Sequence, residues 1–169
     1  MTMYTVTNVK FAGLGGQGVI RASDILAEAA FRFGVDIKKS ELHGMSQRGG
    51  SVSSDVRFGP QVWSPMIPAG EADYLVVVSP DQVDNNLPCL KLEGILIRPE
   101  MIDENQLKNK KALNVALLGA LSVHLPIPEE IWLDAIRESF PASFYAANEQ
   151  AFRLGRSVKS KNSSTDDSD

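Results

Sequence analysis

The chain has 169 residues, 43% of them hydrophobic and 22% charged, with a net charge of −4, a size and composition that set the expectation of one globular domain. No apolar run approaches the roughly 18 residues of a membrane span, no secretory leader pattern opens the chain, and no Lys/Arg cluster offers a footprint for nucleic acid. Membrane and nucleic-acid partners are therefore not expected, and a cytoplasmic location is. Cys89 is the one cysteine, too few for an iron-sulfur cluster held by four thiolates. His43 and His124 lie far apart without a companion ligand, so no metal site is expected.

Val6 to Ala12 is a short β-branched and apolar run that ends in Gly13-Leu14-Gly15-Gly16-Gln17-Gly18. Val19, Ala22, Leu26, Ala29 and Phe33 then recur at helical spacing, which predicts strand, glycine turn and helix, with Gly34 as the helix stop. Val35 to Ser40 is expected to be a second strand completing a β-α-β unit. Glu41 to Gly50 is polar and glycine-rich and reads as an ordered loop. Val52, Ser54, Val56 and Phe58 alternate with polar residues, which predicts a hairpin that turns at Gly59-Pro60 and returns over Gln61 to Ser64.

Tyr74 to Val78 is a continuous apolar run, as in a strand covered on both faces. Gly94 to Arg98 reads as another strand, Ala112 to Val115 as a shorter one, and Ala116 to Leu125 as an apolar helix closed by Pro126. Pro128 to Phe140 predicts a helix with acidic Glu129 and Glu130 at its positive end and Ile131, Trp132, Ala135 and Ile136 on one face. Phe144 to Val158 is the last predicted helix. The fold expected is α/β: a Rossmann-like, mostly parallel sheet flanked by helices, with one antiparallel hairpin. Residues 1–158 form the domain, and 159–169, without apolar residues to bury, are expected to be a disordered tail.

Two segments carry candidate chemistry. Gly13, Gly15 and Gly18 match GxGxxG between a strand and a helix, where backbone N–H groups can hold an anion. The acid that a dinucleotide ribose needs is poorly placed, since Ile37-Lys38-Lys39-Ser40 precedes Glu41, and Lys38 and Lys39 suit a phosphate instead. Ligand binding by Gly13, Gly15, Gly16, Gln17 and Gly18 and close packing of the turn against the sheet or a neighbouring subunit both stand as readings. The second segment holds His43, Ser46, Gln47 and Arg48 before Gly49-Gly50, a polar loop at the edge where open α/β sheets bind ligands, with Arg48 as a clamp for phosphate or carboxylate. No partner for His43 as a base can be placed, Cys89 lacks an activating neighbour, and Trp63 and Trp132 are expected in core or interface.

Gly13 to Gly18, together with Ser40-Glu41-Leu42-His43-Gly44-Met45-Ser46-Gln47-Arg48-Gly49-Gly50-Ser51-Val52, resembles the gamma-type domain of 2-oxoacid:ferredoxin oxidoreductases. The His-Gly-Met-Ser-Gln-Arg-Gly-Gly form is most similar to the indolepyruvate type. Ser64 to Pro68, Asn114 to Leu125 and Asn148 to Phe152 also fit, so the resemblance spans residues 8 to 156. It implies a small subunit, inactive alone, in an enzyme that oxidatively decarboxylates a 2-oxoacid to an acyl-coenzyme A and passes electrons to ferredoxin. It further implies a larger partner carrying thiamine diphosphate and iron-sulfur clusters, with none on this chain. Coenzyme A would approach between the two, where Gly15 to Gly18 and Ser46 to Gly50 would line the interface. Two other readings remain: a free-standing NAD(P)-binding reductase built on the glycine turn, and a noncatalytic assembly module docking through the Arg48 loop.

Overall fold

The protein, a computed structural model describing residues 5–44 and 49–162, the last four by backbone alone, is organised around β1 (Thr7–Leu14). That strand is the middle one of a five-stranded sheet, with β2 (Asp36–His43) and β3 (Ser51–Gly59) on one side and β4 (Ala72–Val77) and β5 (Leu90–Ile97) on the other, in the order β2-β3-β1-β4-β5. The α/β class is as expected, but the sheet is mixed. β1–β4 and β4–β5 pair in parallel, whereas β1–β3 and β2–β3 pair antiparallel.

Strand alternation divides the core. One face sends Val9 and Phe11, Val56 and Phe58, Val76, and Ile97 into the main cluster. That cluster is completed by α1 (Val19–Phe33), α3 (Leu113–Ser122), α4 (Glu129–Ser139) and α5 (Tyr145–Asn162). The other face sends Ala12, Leu75 and Val77 into a smaller cluster closed by Val83 of the short α2 (Val83–Asn86). In α1 the buried apolar residues Val19, Ala22, Ile25, Leu26, Ala29 and Ala30 form one stripe, as the 3.6-residue period requires. Gly34 ends it in the left-handed region, its N–H reaching the Ala30 and Phe31 carbonyls at 3.2 and 3.0 Å. Among the described residues no helix is long and apolar enough to cross a membrane.

Several sequence expectations need correction. The predicted second strand exists, extended to His43, but it is not beside β1: β3 is inserted between them and pairs with both. Burial explains the order, since Val56 and Phe58 of β3 are fully enclosed while β2 carries Lys38, Lys39 and Glu41, charges suited to a sheet edge. Glu41, Leu42 and His43 are therefore strand, and the hairpin is β2–β3, closed by the Gly44 N–H on the Ser51 carbonyl at 2.6 Å.

The predicted return strand over Gln61 to Ser64 does not form, because both edges of β3 are already taken. That stretch begins an arm laid across the sheet and tied by side chains. The Val62 N–H donates to Asp36 Oδ2 at 2.7 Å, Arg57 donates to the Ser64 carbonyl at 2.9 Å, and the Ile67 N–H donates to Asp55 Oδ2 at 3.0 Å. The Val62 N–H is also the main reason the Asp36 carboxyl is held below the usual carboxylate range. Lys10 neutralises Asp55 from β1 at 3.0 Å.

The strand predicted at Ala112 to Val115 is instead the end of a 3₁₀ turn (Lys110–Ala112) and the start of α3. Every residue of α3 from Asn114 to Ser122 is buried, so the helix lacks the polar face that periodicity detects. β5 begins at Leu90, four residues before the predicted start, with a register break opposite Ala72 to Tyr74. The last helix runs through Asn162, so the backbone over 159–162 is helical where a disordered tail was expected, and residues 163–169 lie outside the described residues.

α3 and α5 cross backbone to backbone. A Cβ on Gly155 would overlap the Ala116 carbonyl oxygen, and one on Gly119 would overlap that of Phe152. Overpacking of this kind costs about 1–3 kcal/mol or more, whereas Gly→Ala at an open helix position gains about 0.8–1 kcal/mol. Gly155→Ala should therefore lower stability by about 3 kcal/mol in urea unfolding; an unchanged or raised midpoint would contradict this crossing.

Candidate functional site

β1 delivers the glycine turn to the carboxyl edge of the sheet. Gly16 and Gly18 have φ of 87° and 77°, in the region that side chains resist. Gln17 between them folds back so that its Oε1 accepts the Leu14 N–H at 2.8 Å. Gly13 is small for packing: a Cβ there would meet Val19 Cγ2 at 2.7 Å and Gln17 Oε1 at 2.9 Å. The Gly15 N–H donates to the Gly50 carbonyl at 2.9 Å, which joins the first candidate segment to the end of the second.

The Gly18 carbonyl accepts both the Ala22 N–H at 3.0 Å, opening α1, and Asn114 Nδ2 at 3.1 Å, reaching across from α3. No side chain caps α1 and no acid lies in its first turn. Among the described residues, therefore, no carboxylate caps the positive end of the helix dipole, an arrangement that favours an anion.

That end opens on a cleft of about 410 Å³ whose other walls come from the Asn109–Ala112 turn, from α3 and from the start of α5. Its lining includes Arg21, Lys111, Asn114, Phe140, Phe144 and Asn148, and contains two cations and no acidic residue. Arg21 is held in place by the Ser139 carbonyl and by the Phe140 ring, 5.0 Å below its guanidinium. Lys111 is exposed and makes no ion pair among the described residues. A second depression on the neighbouring side of the turn is walled by Gly15, Asp24, His43 and Val52.

Of the sequence-predicted site residues, Gly13, Gly15, Gly16, Gln17, Gly18, Gly49 and Gly50 come together, with Gly49 N 3.6 Å from where a Gly15 Cβ would stand. Ser46, Gln47 and Arg48, with Met45, lie outside the described residues. Lys39 is not open to a phosphate, because it pairs with Asp24 at 2.8 Å and with Glu41. Burial opposes its charge, but those hydrogen bonds outweigh it and raise the ammonium above its ordinary pKa; Lys39 in turn lowers that of Glu41.

His43 ends β2 with Nε2 3.5 Å from Glu41 Oε2. Trp132 is core, whereas Trp63 is 83% exposed. Sequence reasoning missed Arg21, Lys111, Asn114 and Asn148 as cleft residues. Asn114 and Asn148 enter only through the family resemblance, and no spacing ties them or Lys111 to the glycine turn; Arg21, three residues after Gly18 in the first turn of α1, was within reach of that motif.

Gly18→Ala places its Cβ 2.9 Å from Asn114 Cγ at a positive φ. It should destabilise the protein by about 1–3 kcal/mol in thermal unfolding. A neutral effect would mean that the turn and Asn114 are not locked together.

Comparison with known proteins gives the family and the fold. Residues 8–101 match the family model described as pyruvate ferredoxin/flavodoxin oxidoreductase. The chain is 31% identical over 188 aligned positions to indolepyruvate oxidoreductase subunit IorB of Thermococcus kodakarensis, with 88% of this chain and 93% of that one covered. Among solved structures, the gamma subunit of a keto/oxoacid ferredoxin oxidoreductase from Geobacter sulfurreducens superposes with a TM-score of 0.76 at 26% identity, covering 90% of this chain and 97% of that one. The 2-oxoglutarate:ferredoxin oxidoreductase of Magnetococcus marinus, solved with 2-oxoglutarate, coenzyme A and succinyl-CoA bound, shares the fold at a TM-score of 0.75 and 18% identity; 92% of this chain is covered, and 31% of that longer one. This chain belongs to the pyruvate ferredoxin/flavodoxin oxidoreductase family and is a small subunit of a 2-oxoacid:ferredoxin oxidoreductase.

Proposed function

We propose that the chain serves an enzyme of the indolepyruvate type, that its partner is a larger subunit carrying thiamine diphosphate and the iron-sulfur clusters, and that its own cleft holds the anionic part of coenzyme A. The observation that carries this reading is the acid-free cleft at the start of α1, where helix N–H groups, Arg21 and Lys111 surround one space. Phosphate groups suit that chemistry. The name of the Thermococcus relative supports the aryl 2-oxoacid, and the coenzyme A bound to the Magnetococcus enzyme supports the cosubstrate.

The residues present do not fit the family's redox groups. Cys89 alone cannot hold a cluster, and no group of three or more His, Cys, Asp or Glu suited to a metal occurs among the described residues. Thiamine diphosphate supplies carbanion stabilisation on the partner. This chain's task is to bind and orient the thiol-bearing cosubstrate, which lowers the entropic barrier of acyl transfer.

A nicotinamide reductase is disfavoured by topology. A dinucleotide ribose is held by an acid ending the strand next to β1, whereas here β3 fills that place and Glu41 sits one strand further out, paired with Lys39. The arm after β3 favours an added docking role: it is pinned by Asp36, Asp55 and Arg57, yet displays Trp63 at 83% and Met66 at 65% exposure, the mark of an interaction surface.

The test is anaerobic reconstitution with the larger subunit, following ferredoxin reduction with indolepyruvate, pyruvate and 2-oxoglutarate. Indolepyruvate should have a kcat/KM at least ~10-fold above the other two, and Arg21→Gln with Lys111→Gln should raise the KM for coenzyme A about tenfold without changing that for the 2-oxoacid. Equal use of all three acids would sink the specificity, and an unchanged coenzyme A KM would sink the cleft.

A further inference from the structure

The two faces of the sheet are covered unequally. α1, α3, α4 and α5 close the main core on the first face, while on the second Val83 of α2 closes Ala12, Leu75 and Val77 of β1 and β4. Neither core cluster includes a second-face residue of β2 or β3. Strand alternation puts Asp36, Lys38, Ser40 and Leu42 of β2 on that face, because Ile37 enters the main core and Lys39 reaches Asp24 of α1 on the other.

The arm after β3 lies on this second face and is held there by charged side chains. Asp36 and Asp55 accept the Val62 and Ile67 N–H groups, and Arg57 donates to the Ser64 and Met66 carbonyls. Of residues 61–67 only Val62 is buried, so the pinning serves display more than core, and Trp63 and Met66 stand outward. Asp55, which ties Ile67, lies opposite Ser40 on β2. Leu42, the next residue of β2 on that face, is 71% exposed. Beyond it a depression walled by Leu42, Ser53 and, from α2, Asn85 and Asn86 leads to the carboxyl edge. A strip of exposed apolar side chains thus runs from the arm toward the edge that carries the glycine turn.

The charge of the strip is one-sided. Lys38 stands opposite Arg57 in the β2–β3 register, and neither makes an ion pair among the described residues. Arg57 spends its donors on Asn8 Oδ1 and on arm carbonyls, which leave its charge in place. Lys10 cancels Asp55, so Lys38 and Arg57 face Asp36 alone, whose two oxygens already accept the Ile37 and Val62 N–H groups. A second copy of this chain is a poor occupant, because a two-fold contact sets a patch against itself and would bring these cations together. A partner that carries carboxylates among apolar groups is complementary.

We infer that this strip is the docking surface for the larger subunit, which seats on Leu42, Trp63 and Met66 an apolar segment whose carboxylates meet Lys38 and Arg57. The inference rests on the reading that the chain works beside such a subunit, and it assigns the contact to the face of the sheet away from α1, α3, α4 and α5.

The experiment titrates the full chain onto the larger subunit and reads the dissociation constant, with the melting temperature verifying the fold. Leu42→Ser together with Trp63→Ser should weaken association at least ~10-fold. Lys38→Glu should weaken it about fivefold at low salt, by a factor that shrinks as salt is raised, and it carries the test alone if the apolar pair does not fold. Phe31→Ser, at a residue 69% exposed on α1 over the other face, should change nothing.

Association within about twofold of the unsubstituted chain in the folded variants, or an equal loss with Phe31→Ser, would overturn the proposal. So would a dimer of the isolated chain, seen by light scattering, that Trp63→Ser splits, since the strip would then belong to a second copy. Failure of the underlying reading looks different: the unsubstituted chain would not bind the larger subunit at all.

Discussion

The double use of the Gly18 carbonyl is the interaction on which the site depends. It starts α1 by accepting the Ala22 N–H, and it ties that start to α3 through Asn114. Because Gly18 sits at a positive φ and leaves no room for a side chain, the tie and the glycine require each other. From this point the turn runs back through Gln17 to the end of the central strand and sideways from Gly15 to Gly50. The cleft is therefore built on fixed backbone, which is what a binding site needs to hold a ligand in register.

The sheet serves the same end by an unusual order. Inserting β3 beside β1 brings its start to the carboxyl edge next to the glycine turn, so that Gly49 and Gly50 meet Gly15. The same insertion displaces the second strand to the edge and removes the geometry by which a Rossmann fold holds a ribose. One topological change thus separates the glycine turn from the strand neighbour that a dinucleotide-binding fold places beside it. It also leaves the arm after β3 without a strand to join, and side chains of Asp36, Asp55 and Arg57 hold it instead.

What was legible in the sequence was local. The glycine turn and α1 declare themselves because turn, period and stop lie within some twenty residues, and α4 does so through Pro128, Glu129 and Glu130. The insertion of β3 was not legible, because strand pairing is decided by which residues must be enclosed: Val56 and Phe58 claim the interior and Lys38 and Lys39 the edge. α3 escaped notice as a helix start because burial on all sides erases the periodic signal. In the site, the glycines were visible as a pattern and Arg21 was within reach of it, whereas Lys111, Asn114 and Asn148 are single polar residues on separate elements that only tertiary packing brings to one cleft. The family resemblance spanned those elements, and the fold and the comparisons agree with it.

A chain with one cysteine and a cationic, acid-free cleft makes sense as part of a larger machine. The direct measurement is an anaerobic pull-down of the tagged chain from its native cells, with mass spectrometry of its partners and a visible spectrum of the eluate. A larger thiamine diphosphate and iron-sulfur subunit in fixed ratio with the chain, giving a brown eluate, is the predicted result. A colourless chain eluting alone would contradict stable assembly with such a subunit, and with it the central claim.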